Sequence, residues 1–143
     1  MTTISSKAYF RVPPSILYQS MLDERELTRL ALGSPCKMDA SIGGKFSLYN
    51  NYVEGEIEYL EPSRKIVQKW RCNSWKPDVY SKVTIEFLDI IGETDCTEIV
   101  LKQTSIPSLD KFGNPGCSDQ CLIGWESNFW DRFEKVLGYP RLK

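Results

Sequence analysis

Cys117 and Cys121 stand four residues apart at the start of a helical pattern, where two thiols could share a metal ion and the helix N-terminus would favour a thiolate. A closed zinc site needs two more ligands, and no other cysteine pair in the chain has that spacing, so ordinary packing is the simpler reading. Glu54, Glu56 and Glu58 alternate along one segment and could supply a general acid and base. Alternating carboxylates opposite basic residues read more economically as cross-strand ion pairs, worth ~0.2–1 kcal/mol each. Gly43-Gly44-Lys45 looks like part of a phosphate loop, yet Asp39 stands where that pattern needs its first glycine and Phe46 replaces its Ser/Thr, which leaves a turn. The chain contains no histidine, so Ser-His-Asp and Cys-His catalysis and His-ligated metals are excluded. These residues point to no catalytic group, no metal and no cofactor: the expectation is a protein that is not an enzyme.

Binding chemistry is better represented. The stretch KIVQKWRCNSWKP, Lys65 to Pro77, holds two tryptophans, an arginine and three lysines. Strand alternation puts Ile66, Gln68, Trp70 and Cys72 on an inner face and Val67, Lys69 and Arg71 on an outer one. If Glu61-Pro62-Ser63-Arg64 closes a regular hairpin, Glu54 faces Arg71 and Glu56 faces Lys69. Trp75 and Lys76 lie just past the strand in a turn stopped by Pro77, where no core demand is evident. With Arg71 they are candidate partner-binding residues, and replacing Trp75 and Lys76 together is expected to weaken binding while leaving stability intact. The segment from Pro107 to Gly116, rich in proline and glycine, reads as a loop presenting Leu109 and Phe112, and an exposed Phe112 there would mark a contact surface.

These residues need elements to position them. Ile4, Ser6, Ala8 and Phe10 alternate with Ser5, Lys7, Tyr9 and Arg11 as a first strand stopped by Pro13-Pro14. Apolar residues at helical spacing from Pro14 to about Leu32 predict two short helices, with Asp23 capping the second. Strand-like segments follow at Lys37 to Ala40, Lys45 to Tyr49, Val53 to Leu60, Lys65 to Asn73, Val79 to Leu88 and Cys96 to Ile106, with Gly43-Gly44 and Asn50-Asn51 as turns. In the third of these, Val53, Ile57 and Tyr59 are expected to face one way and the glutamates the other. Ser118 opens a long helix to about Leu137, ended by Gly138, on which Leu122, Trp125, Phe129, Phe133 and Val136 form a stripe. The order predicts an α+β fold: an antiparallel sheet of about six or seven strands whose inner face is covered by that helix. The stripe, together with Trp70, is core, or alternatively the wall of a hydrophobic-ligand pocket between helix and sheet.

A chain of 143 residues with 41% apolar and 26% charged residues is expected to form one domain, 1–143. A net charge of −1 offers no generic attraction to nucleic acid or to an anionic membrane. The N-terminal residues lack an apolar signal core, and no run approaches the ~18 apolar residues of a membrane span, so the cytoplasm is the expected compartment. Five scattered cysteines fit reduced, buried thiols rather than a disulfide framework.

An ordered set of these pieces resembles a known family. Gly43-Gly44-Lys45-Phe46, Gly55 in an acidic strand, Ile66 to Arg71 with Trp75 beyond, Gly92-Glu93-Thr94, Ile106-Pro107, Gly124-Trp125, and Phe133 to Gly138-Tyr139 follow one another as in the C-terminal domain of the activators of heat shock protein 90 ATPase. The resemblance covers nearly the whole chain. It implies the helix-grip fold of the START/SRPBCC-like superfamily, with a curved sheet. It also implies a co-chaperone of the stress response that binds heat shock protein 90 and activates its ATPase by favouring the closed state. In two-domain members an N-terminal domain grips the chaperone's middle segment while the C-terminal domain contacts the dimerised ATP-binding domains. Here that N-terminal domain is expected to be missing, and the Pro107 to Gly116 loop is longer than the family's usual connection. The superfamily also implies an alternative, a carrier of a lipid or other small hydrophobic ligand, lined by Trp70, Leu122, Trp125, Phe129 and Phe133. A cavity of some hundreds of Å³ would distinguish that carrier from a packed core.

Overall fold

The structure is a computed structural model describing residues 1–142. Strand β1 (Thr2–Phe10) leads into helices α1 (Pro14–Ser20) and α2 (Glu24–Leu30). A meander follows through β2 (Lys37–Met38), β3 (Lys45–Leu48), β4 (Val53–Glu61), β5 (Lys65–Cys72), β6 (Ser81–Asp89) and β7 (Thr97–Ile106). The closing helical run comprises α3 (Cys117–Gly124), a π-helical turn (Trp125–Trp130) and α4 (Asp131–Lys135), and β8 (Arg141–Leu142) follows it. All strands join one antiparallel sheet in the order β2-β3-β4-β5-β6-β7-β1-β8. The strand beyond the expected number is β8, a two-residue piece that pairs with Tyr9 and Phe10.

Local chemistry accounts for most boundaries. In β1, Ser6, Ala8 and Phe10 are buried while Lys7 and Tyr9 face water, as alternation requires. The Asp23 carboxylate caps α2 by accepting from the Arg25 and Glu26 amides at 2.8 and 3.1 Å. Gly44 forms a tight turn in which a Cβ would lie 2.2 Å from the Asp39 carbonyl oxygen. Gly55 admits the Phe46 ring over β4, where a Cβ would lie 1.9 Å from the Lys69 carbonyl oxygen and 2.6 Å from that ring.

The β4–β5 hairpin keeps the expected register from Val53↔Cys72 through Ile57↔Gln68, including Glu54↔Arg71 and Glu56↔Lys69. A bulge between Ile57 and Tyr59 then shifts the phase. Tyr59 consequently turns outward, against the expectation that it shares a face with Val53 and Ile57, and Leu60 packs against the core in its place. Only one of the two anticipated ion pairs closes. Arg71 meets Glu54 at 2.9 Å, whereas the Lys69 ammonium, paired across the sheet with Lys82 as well as Glu56, lies 4.3 Å from the Tyr80 ring centroid.

The closing helix differs from its sequence reading in two ways. Ser118 does not cap it: the N-cap is Gly116, in the left-handed region at φ 99°, and no side chain bonds there. The π turn accommodates an extra residue, so the adjacent Phe129 and Trp130 are both buried, along with Trp125 and Phe133. Strict three-and-four spacing omits Trp130, and Leu122 and Val136 are only partly covered.

Buried polar groups fasten this helix to the sheet. The Trp125 indole N–H donates to Gln103 Oε1 at 2.9 Å, Gln103 Nε2 donates to Ser81 Oγ at 2.9 Å, and Ser81 Oγ donates to the Trp70 carbonyl at 2.8 Å. On the next turn the Trp130 indole N–H donates to Ser6 Oγ at 2.9 Å. The Trp125 and Trp130 indoles thus enter the core with their donors satisfied, which removes the main cost of burying them. Arg132 closes the other flank by donating to the Leu30 carbonyl of α2 at 2.7 Å.

Candidate functional site

The end of β5 and its following turn form a buried scaffold beneath an exposed rim. Arg71 is 8% exposed, although it points to the outer face. Its Nη1 donates to Glu54, and its Nη2 donates to the carbonyls of Trp75 at 2.8 Å and Lys76 at 3.2 Å. One guanidinium therefore fixes both the strand pair and the turn, a use of arginine's rigid fork that lysine cannot copy. The Trp75 amide returns to the Cys72 carbonyl at 3.0 Å.

Trp75 itself is 1% exposed, and its ring centroid lies 5.7 Å from that of Trp70. This corrects the expectation that no core demand acts on it. The chain doubles back directly after β5, so the indole enters the same aromatic cluster as Trp70 and Trp125, whose centroids are 5.9 Å apart. Alternation counted along a strand stops where the strand stops, and so it missed this insertion. The available signal was the residue type, since a turn seldom holds a tryptophan it does not bury. Lys76, next in sequence, is exposed.

The loop from Pro107 to Gly116 docks on this turn: the Lys111 amide donates to the Ser74 carbonyl at 2.9 Å. Asp110 organises the tip. Its Oδ1 accepts from the Phe112 and Asn114 amides, each at 2.9 Å, and its own amide donates to the Asn114 carbonyl at 2.9 Å. The Asn114 amide, opposed by slight desolvation and assisted by the Phe112 amide, holds the Asp110 carboxyl below its ordinary pKa. Phe112 projects into solvent at 72% exposure, with the Lys111 ammonium 5.3 Å from its ring centroid, and Leu109 is 50% exposed. The fold thus brings Lys76 and Phe112 onto adjoining exposed segments, while Arg71 and Trp75 support one of those segments from below.

Between this scaffold and the closing helix lies a cavity of about 160 Å³. Trp70, Trp125 and Phe129 line it, as the pocket reading requires, but Leu122 and Phe133 do not. Phe133 packs instead against Phe10 and Trp130, with ring centroids 5.6 and 5.5 Å away. The volume falls short of the ~300–1,000 Å³ common among small-molecule sites, because the aromatic rings fill the grip. Cys72, Cys117 and Cys121 lie on the same wall. Among the described residues no three or more cysteine, aspartate or glutamate side chains are grouped so that they could hold a metal ion. No helix among them is long and apolar enough to cross a membrane.

Comparison with known proteins sets this geometry in a family. The family model described as activator of Hsp90 ATPase homolog 1-like protein matches residues 11–138. An activator of 90 kDa heat shock protein ATPase homolog from Dictyostelium discoideum is 33% identical over 137 residues, covering 96% of this chain and 33% of that protein. The human homolog 1 is 29% identical over 136 residues, covering 95% of this chain and 37% of its own length. The chain therefore spans about a third of the length of these curated relatives. The crystal structure of an HSP90 activator from Plasmodium falciparum superposes with a TM-score of 0.95 at 34% identity, covering 99% of this chain and 100% of that one.

Proposed function

Since the chain belongs to the family of activator of Hsp90 ATPase homolog 1-like proteins, we propose that it is a cytoplasmic co-chaperone that binds heat shock protein 90 and favours its closed, ATP-hydrolysing state. The observation that carries this reading is the near-complete superposition on an HSP90 activator, 99% of one chain on 100% of the other at 34% identity. Phe112, Lys111 and Lys76 supply a fitting contact for an acidic, partly apolar surface on the chaperone: an exposed ring with the Lys111 ammonium 5.3 Å from its centroid, and a further exposed lysine on the adjoining turn. Arg71 and Trp75 take part by fixing the backbone that presents Lys76.

No reacting group is required of the activator. If it binds the closed dimer more tightly than the open one, each ~1.4 kcal/mol of preference shifts the equilibrium tenfold, whereas equal affinity shifts nothing. The carrier alternative is less well supported, since the cavity of about 160 Å³ is small for a lipid or sterol. A pull-down of the purified chain with heat shock protein 90, with and without a non-hydrolysable ATP analogue, tests the proposal. Retention that increases with the analogue supports it; no retention in either condition contradicts it.

A further inference from the structure

We propose that the cavity beneath the Trp75 turn is an oxidation site, in which a hydroperoxide converts Cys72 to a sulfenic acid and Cys121 resolves it as a Cys72–Cys121 disulfide. Three of the five cysteines converge on this cavity from different elements, Cys72 ending β5 and Cys117 and Cys121 on α3. All are free, and Cys72 and Cys121 line the same cavity, near enough for each thiol to perturb the other's ionisation. Cys36 and Cys96 are buried and do not line the cavity. Tyr52, 42% exposed, and the exposed Gln120 belong to the same lining, so the cavity communicates with solvent and admits a molecule as small as hydrogen peroxide.

The surroundings divide the labour between the two thiols. The neighbouring Cys121 thiol first, opposed by burial and assisted by the Tyr52 hydroxyl and the positive charge of Arg71, holds the Cys72 thiol below its ordinary range. Cys121 is pushed up, first by the neighbouring Cys72 thiol and then by burial. Cys72 is thus the thiolate that attacks, and Cys121 keeps its proton until the second step.

The reaction balances in two steps. The Cys72 thiolate attacks one peroxide oxygen and the O–O bond breaks; Cys72 becomes a sulfenic acid, and the departing hydroxide takes a proton to leave as water. The Cys121 sulfur, giving up its proton, then attacks the Cys72 sulfur, and the S–O bond breaks to release a second water. The two thiols lose two electrons in total, and the hydroperoxide is reduced. The bridge ties the end of β5, immediately before the Trp75 turn, to the closing helix.

The test treats the reduced full chain with hydrogen peroxide, alkylates it and digests it with trypsin and with an endoprotease that cuts before aspartate, so that Asp119 separates Cys117 from Cys121. The expected product is a cross-linked peptide joining Cys72 to Cys121, with Cys36 and Cys96 still alkylated. In Cys121→Ser the sulfenic acid should persist at Cys72 and be trapped by dimedone, roughly tenfold faster than at Cys36. Intact thiols throughout, a bridge to Cys117, or oxidation of Cys36 or Cys96 at the same rate as Cys72 would each overturn the proposal, and the wild-type arm needs no variant to fold.

Discussion

The Arg71 guanidinium donates to the Trp75 backbone carbonyl at 2.8 Å, so the residue that looked like a surface cation holds in place the residue that looked like a surface aromatic. Both are buried. The exposed groups that this pair presents, Lys76 and, through the docked loop, Phe112, form the proposed contact.

Trp75→Ala should cost about 3–5 kcal/mol, because it removes a fully buried ring from the cluster with Trp70 and leaves a cavity. Lys76→Ala, at an exposed position, should fall within about 0.5 kcal/mol of the parent. Urea unfolding of the two single variants measures both. A Trp75→Ala loss below about 1 kcal/mol would mean that the turn does not pack as described.

Arg71→Met should cost about 1–3 kcal/mol by leaving the Trp75 and Lys76 carbonyls without their donor. Glu54→Gln should cost less than about 1 kcal/mol, since the Glu54 side chain is 47% exposed and its ion pair is screened by solvent. Equal losses in the two variants would show that the ion pair, rather than the carbonyl contacts, explains Arg71.

The Phe112 loop should tolerate acid further than an ordinary aspartate would allow. The folded-state pKa of Asp110 is depressed, so its contribution is complete above the unfolded value and disappears only as pH falls through the lower folded one. Amide exchange at Phe112 and Asn114 should therefore remain protected from neutral pH down past the ordinary value of 3.8 and fail only below it. Loss of protection at or above that value would contradict the Asp110 cradle.

Much of the fold was legible because periodicity reports burial. The β1 alternation, the Asp23 cap and the Glu54↔Arg71 register all follow from side-chain spacing alone. What escaped was backbone irregularity. The bulge after Ile57 reverses the facing of Tyr59, and the π turn adds Trp130 to the core. Both insert one residue into a regular period; no glycine or proline marks the bulge, and Gly124, which directly precedes the π turn, has ordinary helical dihedrals and announces no extra residue. The site was half legible for the same reason. Phe112 was recognisable as an apolar residue in a polar loop, whereas the burial of Trp75 depends on a chain reversal and on a docking contact, Lys111 to Ser74, between segments far apart in sequence.

Isothermal titration calorimetry of heat shock protein 90, with a non-hydrolysable ATP analogue present, against the parent chain and a Phe112→Ala, Lys76→Ala double variant is the most direct measurement of the proposed contact. Both changed residues are exposed, so the variant should fold and melt like the parent. The account predicts binding by the parent and a loss of at least ~2 kcal/mol in the variant, about thirtyfold in Kd. Unchanged affinity in a normally folded variant would contradict it.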